Sequence, residues 1–254
     1  TAQNIYRVGK TINPSITVSL SRRQKFYHLE YDYELGFISN NYLRLLVRFF
    51  YGPILLGYLS NIATHFLYIS GVGFLIDIKT EYKFLKNKSK KIVCMFVGTD
   101  IRSPKLAKKY LIENDIDGKA NYQNIQRVEF NEEKFDNKVK ELASITDKYA
   151  DVIFNFKYCT ISYLKKTTYC FPYSYDKDHF NYNPKKFEKL STIKIVHAPS
   201  APIGKGTPLV RAAIKKLSLE GYNFKYVEVL GKSNSQVIDE LQDAHIVLNQ
   251  FYTT

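Results

Sequence analysis

The sequence predicts an α/β protein built on parallel sheets, and three features carry that prediction. Ile92-Val93-Cys94-Met95-Phe96-Val97 and Val152-Ile153-Phe154-Asn155-Phe156 are short, nearly continuous apolar runs, as strands buried on both faces require. Between them, Glu132 to Tyr149 is highly charged, with Phe135, Val139, Leu142 and Ile145 at helical spacing. From Ser191 onward, strand and helix patterns alternate as β-α-β-α-β, half of a doubly wound sheet.

The elements can be justified in chain order. Thr1 to Lys10 is polar and mixed, unlike a signal peptide. Phe49 to Leu59 is the most apolar stretch, but Gly52, Pro53 and Gly57 interrupt it. It also falls short of the roughly 20 residues a membrane span needs. The strand beginning at Ile92 ends at Gly98-Thr99-Asp100. Phe171 to Leu190 contains Pro172 and Pro184 and shows no periodicity, so it reads as a linker. This gives domains at 1–170 and 191–254, joined by 171–190.

The second domain is the clearer one. Ile193 to Val196 is a short strand. Thr207 can cap a helix with Pro208 at its first position and Gly221 past its end. The expected apolar face of that helix is Leu209, Val210, Ala213, Ile214 and Leu217. Tyr226 to Leu230 is the next strand. Ser233 and Gln236 have capping-box spacing for a helix through Val237, Ile238 and Leu241. His245 to Leu248 is the third strand.

Composition narrows the function classes. The 254 residues carry 37 Lys+Arg against 24 Asp+Glu, a net charge of +13, and are 45% hydrophobic. That excludes a disordered tail or a collagen-like fibre. Basic residues are dispersed among acidic ones and no recognition motif occurs, so nucleic acid is not the expected partner. Three cysteines without a Cys-x-x-Cys pair argue against a disulfide framework and a zinc ribbon, and favour a reducing compartment. The five histidines have no metal-ligand spacing, so no metal is expected.

Two loops could carry chemistry. His197-Ala198-Pro199-Ser200-Ala201-Pro202-Ile203-Gly204-Lys205-Gly206-Thr207 leaves a parallel strand and enters a helix N-terminus, which favours an anion. Gly204 and Gly206 allow close backbone approach and Lys205 adds a full charge. It is not a P-loop, because Pro199 stands where that pattern needs glycine. An ordinary strand-to-helix turn with a surface lysine is an equal reading. Gly98-Thr99-Asp100-Ile101-Arg102 also follows a buried strand. It could bind a polyhydroxylated ligand or be an Asp-capped turn with an exposed arginine. His65, beside apolar residues, reads first as a core histidine.

Taken together these segments resemble GT-B glycosyltransferases of the broad retaining family 4 group. Val196-His197-Ala198-Pro199-Ser200 through Lys205-Gly206-Thr207, with Ala244-His245-Ile246-Val247-Leu248-Asn249-Gln250, resembles their donor domain. Phe171-Pro172-Tyr173-Ser174-Tyr175-Asp176 resembles their interdomain linker, and Gly98-Thr99-Asp100-Ile101-Arg102 their acceptor loop. The resemblance implies two Rossmann-like domains, the C-terminal one incomplete. It implies transfer of a sugar from a nucleotide-sugar donor to a glycan or lipid-linked acceptor, as in surface polysaccharide synthesis, without metal or cofactor. Lys205 would stabilise the leaving diphosphate, with Ser200, Gly204, Gly206, Thr207 and Asn249 around the donor. Asp100 would act across from it, with Gly98, Thr99 and Arg102 on the acceptor side.

The sequence also departs from the family pattern. Ser200-Ala201-Pro202 occupies the stretch that usually holds an arginine, and Val97 stands where many members place a histidine. That role would pass to His65. Asn249 replaces a position often acidic. The first strand with its glycine loop and the Glu-x7-Glu segment are missing, so the chain reads as a fragment expected to be inactive alone. A catalytically inactive GT-B-like binding or assembly module is the alternative. Lys83 to Lys91, with five lysines in nine positions, and Leu43 to Phe50, with Arg44 and Arg48, suit anionic headgroups. They point to a cytoplasmic protein peripheral at the inner membrane face. A solvated loop and a core helix are the alternatives.

Overall fold

The computed structural model describes residues 8–9, 11–20, 30–115, 131–155, 161–171, 183, 187–188, 192–249 and 251. It is a mixed α/β structure with parallel sheets and, among the described residues, six helices. The linker read at Phe171–Leu190 lies almost wholly outside the described residues, as do Thr1–Arg7, Cys159 and Gln250. The chain divides into two compact units. Among the described residues the first takes those up to Asn114 and from Asn131 to Phe171; the second takes Asp115 and those from Asn183 onward.

In the first unit a two-residue parallel pair, β1 (Val18–Ser19) and β2 (Tyr33–Glu34), precedes α1 (Asn41–Ile62). Then come β3 (His65–Ile69), α2 (Ile78–Asn87), β4 (Lys91–Phe96), α3 (Pro104–Glu113), α4 (Glu132–Tyr149) and β5 (Val152–Asn155). The main sheet runs β3-β4-β5, all parallel, with His65 opposite Lys91 and Val93 opposite Val152. Tyr169 extends it past β5 by exchanging backbone hydrogen bonds with Ile153 and Asn155. The β4 run is buried as its composition requires, with Ile92, Cys94, Met95 and Phe96 at its centre. Burial pushes the Cys94 thiol up to about 11. Helix α4 buries Asp136, Val139, Ala143 and Thr146, while the expected Phe135, Leu142 and Ile145 are half-buried beside that spine.

Helix α1 departs from the expectation. Gly52, Pro53 and Gly57 do not interrupt it; it runs 22 residues and is long and apolar enough, by length and composition, to cross a membrane. Asn40 caps it by accepting from the N–H groups of Tyr42 and Leu43. Its inner side buries Gly52, Leu55, Leu56, Leu59 and Ser60 against the sheet. Gly52 serves packing: a Cβ there would lie 2.3 Å from the Phe74 carbonyl oxygen.

The second unit holds β6 (Ile193–His197), α5 (Thr207–Leu219), β7 (Phe224–Glu228), α6 (Asn234–Gln242) and β8 (Ile246–Leu248). Its parallel sheet has the order β7-β6-β8, so β6 is central. Val196, Val229 and Ala244 form its small core, with Val237 and Leu241 of α6 packed on it. The Ser233–Gln236 capping box is present. Lys194 on β6 reaches Glu240 (2.9 Å) and Asp243 (2.7 Å) at the end of α6. The expected apolar face of α5 is only partly used: Val210 is buried, Ile214 and Leu217 are half-buried, and Leu209 and Ala213 are exposed.

Two glycines in one helix should respond oppositely. Nothing lies within 4 Å of a Cβ at Gly57, so Gly57→Ala should stabilise by about 1 kcal/mol through helix propensity. Gly52→Ala gains the same propensity but drives a methyl into backbone, where overpacking costs about 1–3 kcal/mol. Urea unfolding should therefore rank Gly57→Ala above wild type and Gly52→Ala below it.

Candidate functional site

The strongest site candidate lies in the second unit, where strand order reverses. From β6 the chain crosses to β7 on one side, and from β7 it returns to β8 on the other. In open parallel sheets, ligands bind outside the carboxyl ends of the strands at such a switch point. The loop after β6 and the residue after β8 meet there: Lys205 Nζ lies 3.5 Å from Asn249 Oδ1, the long limit of a hydrogen bond. Ser200 and Asn249 are exposed, Lys205 is half-buried, and Gly204, Gly206 and Thr207 are buried. Burial lowers the Lys205 pKa from its ordinary value.

His197, the last residue of β6, holds this arrangement and was not a predicted site residue. It is fully buried, with Nδ1 2.8 Å from the Leu248 carbonyl oxygen and Nε2 2.9 Å from Thr207 Oγ1. A carbonyl only accepts, so Nδ1 carries the proton and, in the neutral ring, Nε2 accepts from the threonine hydroxyl. One imidazole thus joins β6, β8 and the start of α5. The sequence signal was a histidine closing an apolar strand.

The helix end differs from expectation. The N-cap is Gly206, at φ +75°, where a side chain would be strained. Thr207 is the first helical residue, and its hydroxyl turns to His197 instead of capping. The backbone donors meant for an anion are also engaged within the loop. The N–H groups of Lys205, Gly206 and Thr207 donate to the carbonyls of Ala201, Ile203 and Pro202, and those of Leu209 and Val210 donate to Gly206. Pro208 has none. Lys205 is the one lysine or arginine of this loop.

In the first unit, the Gly98 loop follows β4, the central strand of a sheet whose order, among the described residues, does not reverse. Asp100 folds back to accept from the N–H groups of Val97 (3.1 Å) and Gly98 (2.8 Å), which makes it a turn-forming carboxylate. Thr99 is exposed, Gly98 half-buried, and Arg102 buried, not the exposed arginine of the turn reading. Ser103 caps α3 and donates to Asp136, which also accepts from the Tyr163 hydroxyl (2.7 Å) and the Lys105 N–H (3.2 Å).

His65 does not join that loop. It opens β3 at the amino ends of the strands, roughly 20 Å from Gly98 by strand rise. Nor is it a core histidine: it is exposed, with Nδ1 2.9 Å from Thr64 Oγ1. The structure brings Lys205, Gly206, Thr207 and Asn249 together, and separately Gly98, Thr99, Asp100 and Arg102. A concavity of about 450 Å³, lined by Lys79, Lys140, Glu141 and Lys148 among others, sits between α2 and α4 and includes neither loop. Among the described residues, no three His, Cys, Asp or Glu side chains gather as metal ligands. Comparison with protein-family models, curated proteins and solved structures found no match.

Asp136 gives the first loop a pH signature. Burial raises its pKa, but hydrogen bonds from Ser103, Tyr163 and Lys105 outweigh this and hold it below the usual carboxylate range. A depressed folded value means stability present above the unfolded value of about 3.9 and lost as pH falls through the folded one. Asp136→Asn should cost about 1.5–3 kcal/mol near neutral pH. Chemical denaturation across the acid range should show that gap closing below about pH 4.

Proposed function

We propose that this chain is a glycosyltransferase of the GT-B type, its two three-stranded parallel sheets belonging to two Rossmann-like domains. It moves a sugar from a nucleotide-sugar donor to a glycan or lipid-linked acceptor. The single observation that carries the reading is the pairing of Lys205 with Asn249 at the switch point of the second unit. A half-buried ammonium there is poised for a diphosphate. Its attraction to developing negative charge strengthens as water is excluded, which is the way such sites lower a barrier for a leaving group.

The loop geometry refines the roles carried in the resemblance. Because the Gly206 and Thr207 N–H groups are engaged, Lys205 supplies the charge-assisted contact and the α5 dipole supplies the rest. Asn249 can hold the ammonium in place or accept from a ribose hydroxyl. On the acceptor side Asp100 shapes the loop and Thr99 offers an exposed hydroxyl.

A second reading, a catalytically inactive module of the same fold, draws on two observations: the engaged backbone donors and the remote position of His65. Both readings place a nucleotide at Lys205 if the site is retained, and only the enzyme turns over a donor. A screen of nucleotide sugars for hydrolysis or transfer separates them.

Lys205→Ala should weaken nucleoside-diphosphate binding by about 1.5–3 kcal/mol, the worth of a hydrogen bond to a charged group. That is about a 10- to 150-fold rise in Kd by isothermal titration calorimetry. The ligand-free melting temperature should stay near wild type. Equal affinity for both proteins would remove Lys205 from the site.

A further inference from the structure

The outer side of α1 does not look like a water-facing helix. Tyr42 (87%), Leu46 (55%), Phe49 (56%), Phe50 (63%), Ile54 (69%) and Tyr58 (53%) are all exposed. At 100° per residue these six share about one half of the helical circumference. The opposite side is buried against the sheet through Leu55, Leu56 and Leu59, while Leu45 nearer the amino end is exposed. A helix apolar all round is normally covered on every side, and a contiguous apolar patch of this kind marks an interaction surface.

The charge around the helix is one-sided. From Asn41 to Ile76 the sequence holds no Asp or Glu. Arg44 stands at the amino end of α1, its guanidinium bonded to the Ile38 carbonyl (2.9 Å) and to Asn41 Oδ1 (2.8 Å). At the carboxyl end Lys88 Nζ donates to Asn61 Oδ1 (3.0 Å), and the Lys91 N–H donates to the Thr64 carbonyl. The lysine-rich stretch Lys83 to Lys91 is therefore anchored beside the end of α1. Asp151 neutralises part of it through Lys86 (2.8 Å) and Lys91 (3.6 Å), while Lys83 and Lys88 are exposed. An apolar face with cations at both ends and no acid along it is complementary to hydrocarbon beneath anionic headgroups.

We propose that the outer face of α1 docks in the plane of an anionic lipid bilayer. The helix does not cross the membrane, because its inner half belongs to the core of the first unit. It lies along the interface, with Phe49, Phe50 and Ile54 reaching the acyl boundary. Tyr42 and Tyr58, about 24 Å apart by helical rise, sit near headgroup level, the Tyr58 hydroxyl hydrogen-bonded to Tyr33. Arg44 and the Lys83–Lys91 stretch meet the phosphates. This inference is independent of the nucleotide-sugar reading, since it uses no residue of the Lys205 loop.

The protein contains no tryptophan, so one introduced indole reports on one place. The 254-residue protein is floated with phosphatidylcholine vesicles, and with vesicles of phosphatidylcholine and phosphatidylglycerol. Phe50→Trp and, as a control on the second unit, Tyr222→Trp are followed by fluorescence. Flotation should occur with the anionic vesicles and weaken in high salt. The Phe50→Trp emission should shift to the blue on adding them while that of Tyr222→Trp stays put. Ile54→Ser, at an exposed position, should reduce vesicle partitioning by at least about tenfold with an unchanged circular-dichroism spectrum. Absence of flotation overturns the proposal. So does flotation with an unmoved Phe50→Trp emission, because another surface would then be responsible. A blue shift that depends on protein concentration without lipid assigns the face to a protein contact and overturns the lipid assignment.

Discussion

The first unit depends on two opposite charges that share one loop. Arg48 of α1 donates from Nη2 to the carbonyls of Gly73 (2.6 Å) and Leu75 (2.8 Å), and from Nε to that of Phe74 (3.3 Å). Glu81 of α2, fully buried, accepts from the Leu75 N–H (2.7 Å) and from the Tyr68 hydroxyl of β3 (2.6 Å). Residues 73–75 have no helix or strand to satisfy their backbone groups, and an orphaned buried carbonyl or N–H costs about 1–3 kcal/mol. The arginine takes the carbonyls and the carboxylate takes an N–H, so α1, β3 and α2 are fixed to one another through a segment with no regular structure. Close packing follows: Gly52 meets Phe74, and a Cβ at Gly73 would lie 2.5 Å from the Glu81 carboxylate.

The arrangement has an electrostatic cost. Burial raises the Glu81 pKa, partly opposed by the Tyr68 and backbone hydrogen bonds and the Arg48 charge. Burial likewise lowers the Arg48 value and raises that of Tyr68. A carboxyl with a raised folded value contributes most at low pH, and that contribution is lost as pH rises through the folded value. Two buried charges are tolerated because each is hydrogen-bonded. Removing one would leave the other uncompensated, which is worse than replacing both.

Elements that rest on local pattern were legible in the sequence, and those that rest on a distant partner were not. β4, β5, α4 and the β-α-β-α-β order of the second unit follow from apolar periodicity over a few residues. Helix α1 was obscured by Gly52, Pro53 and Gly57, whose tolerance depends on the Phe74 loop, and by an outer face too apolar to show a helical period. The start of α5 was read one residue late because Thr207 spends its hydroxyl on His197, ten positions earlier. The sequence leaves Arg102 open between a ligand-binding loop and an exposed turn residue, and nothing local says that it is buried beside the Ser103 that caps α3. The resemblance alone assigns His65 the histidine role vacant at Val97, and strand direction shows that it opens β3 while Gly98 follows β4. The lysine between two glycines was legible as a candidate; the engagement of its neighbouring N–H groups was not, because carbonyl direction in a loop leaves no trace in sequence.

The two candidate loops are unequal for a topological reason. Each follows the central strand of a parallel sheet, yet in the order β3-β4-β5 every crossover moves the same way. In the loop after β4, Asp100 spends its carboxylate closing the turn. In the order β7-β6-β8 the crossovers diverge from β6, the arrangement at which open parallel sheets bind ligands beyond the strand ends. There His197 joins the Leu248 carbonyl to Thr207, and Lys205 lies beside Asn249. A half-buried cation thus stands at a topological switch point, beside a buried imidazole that joins the ends of β6 and β8 to the start of α5. Whatever the ligand, the direction of the chain after β6 makes the second unit the better place to look for it.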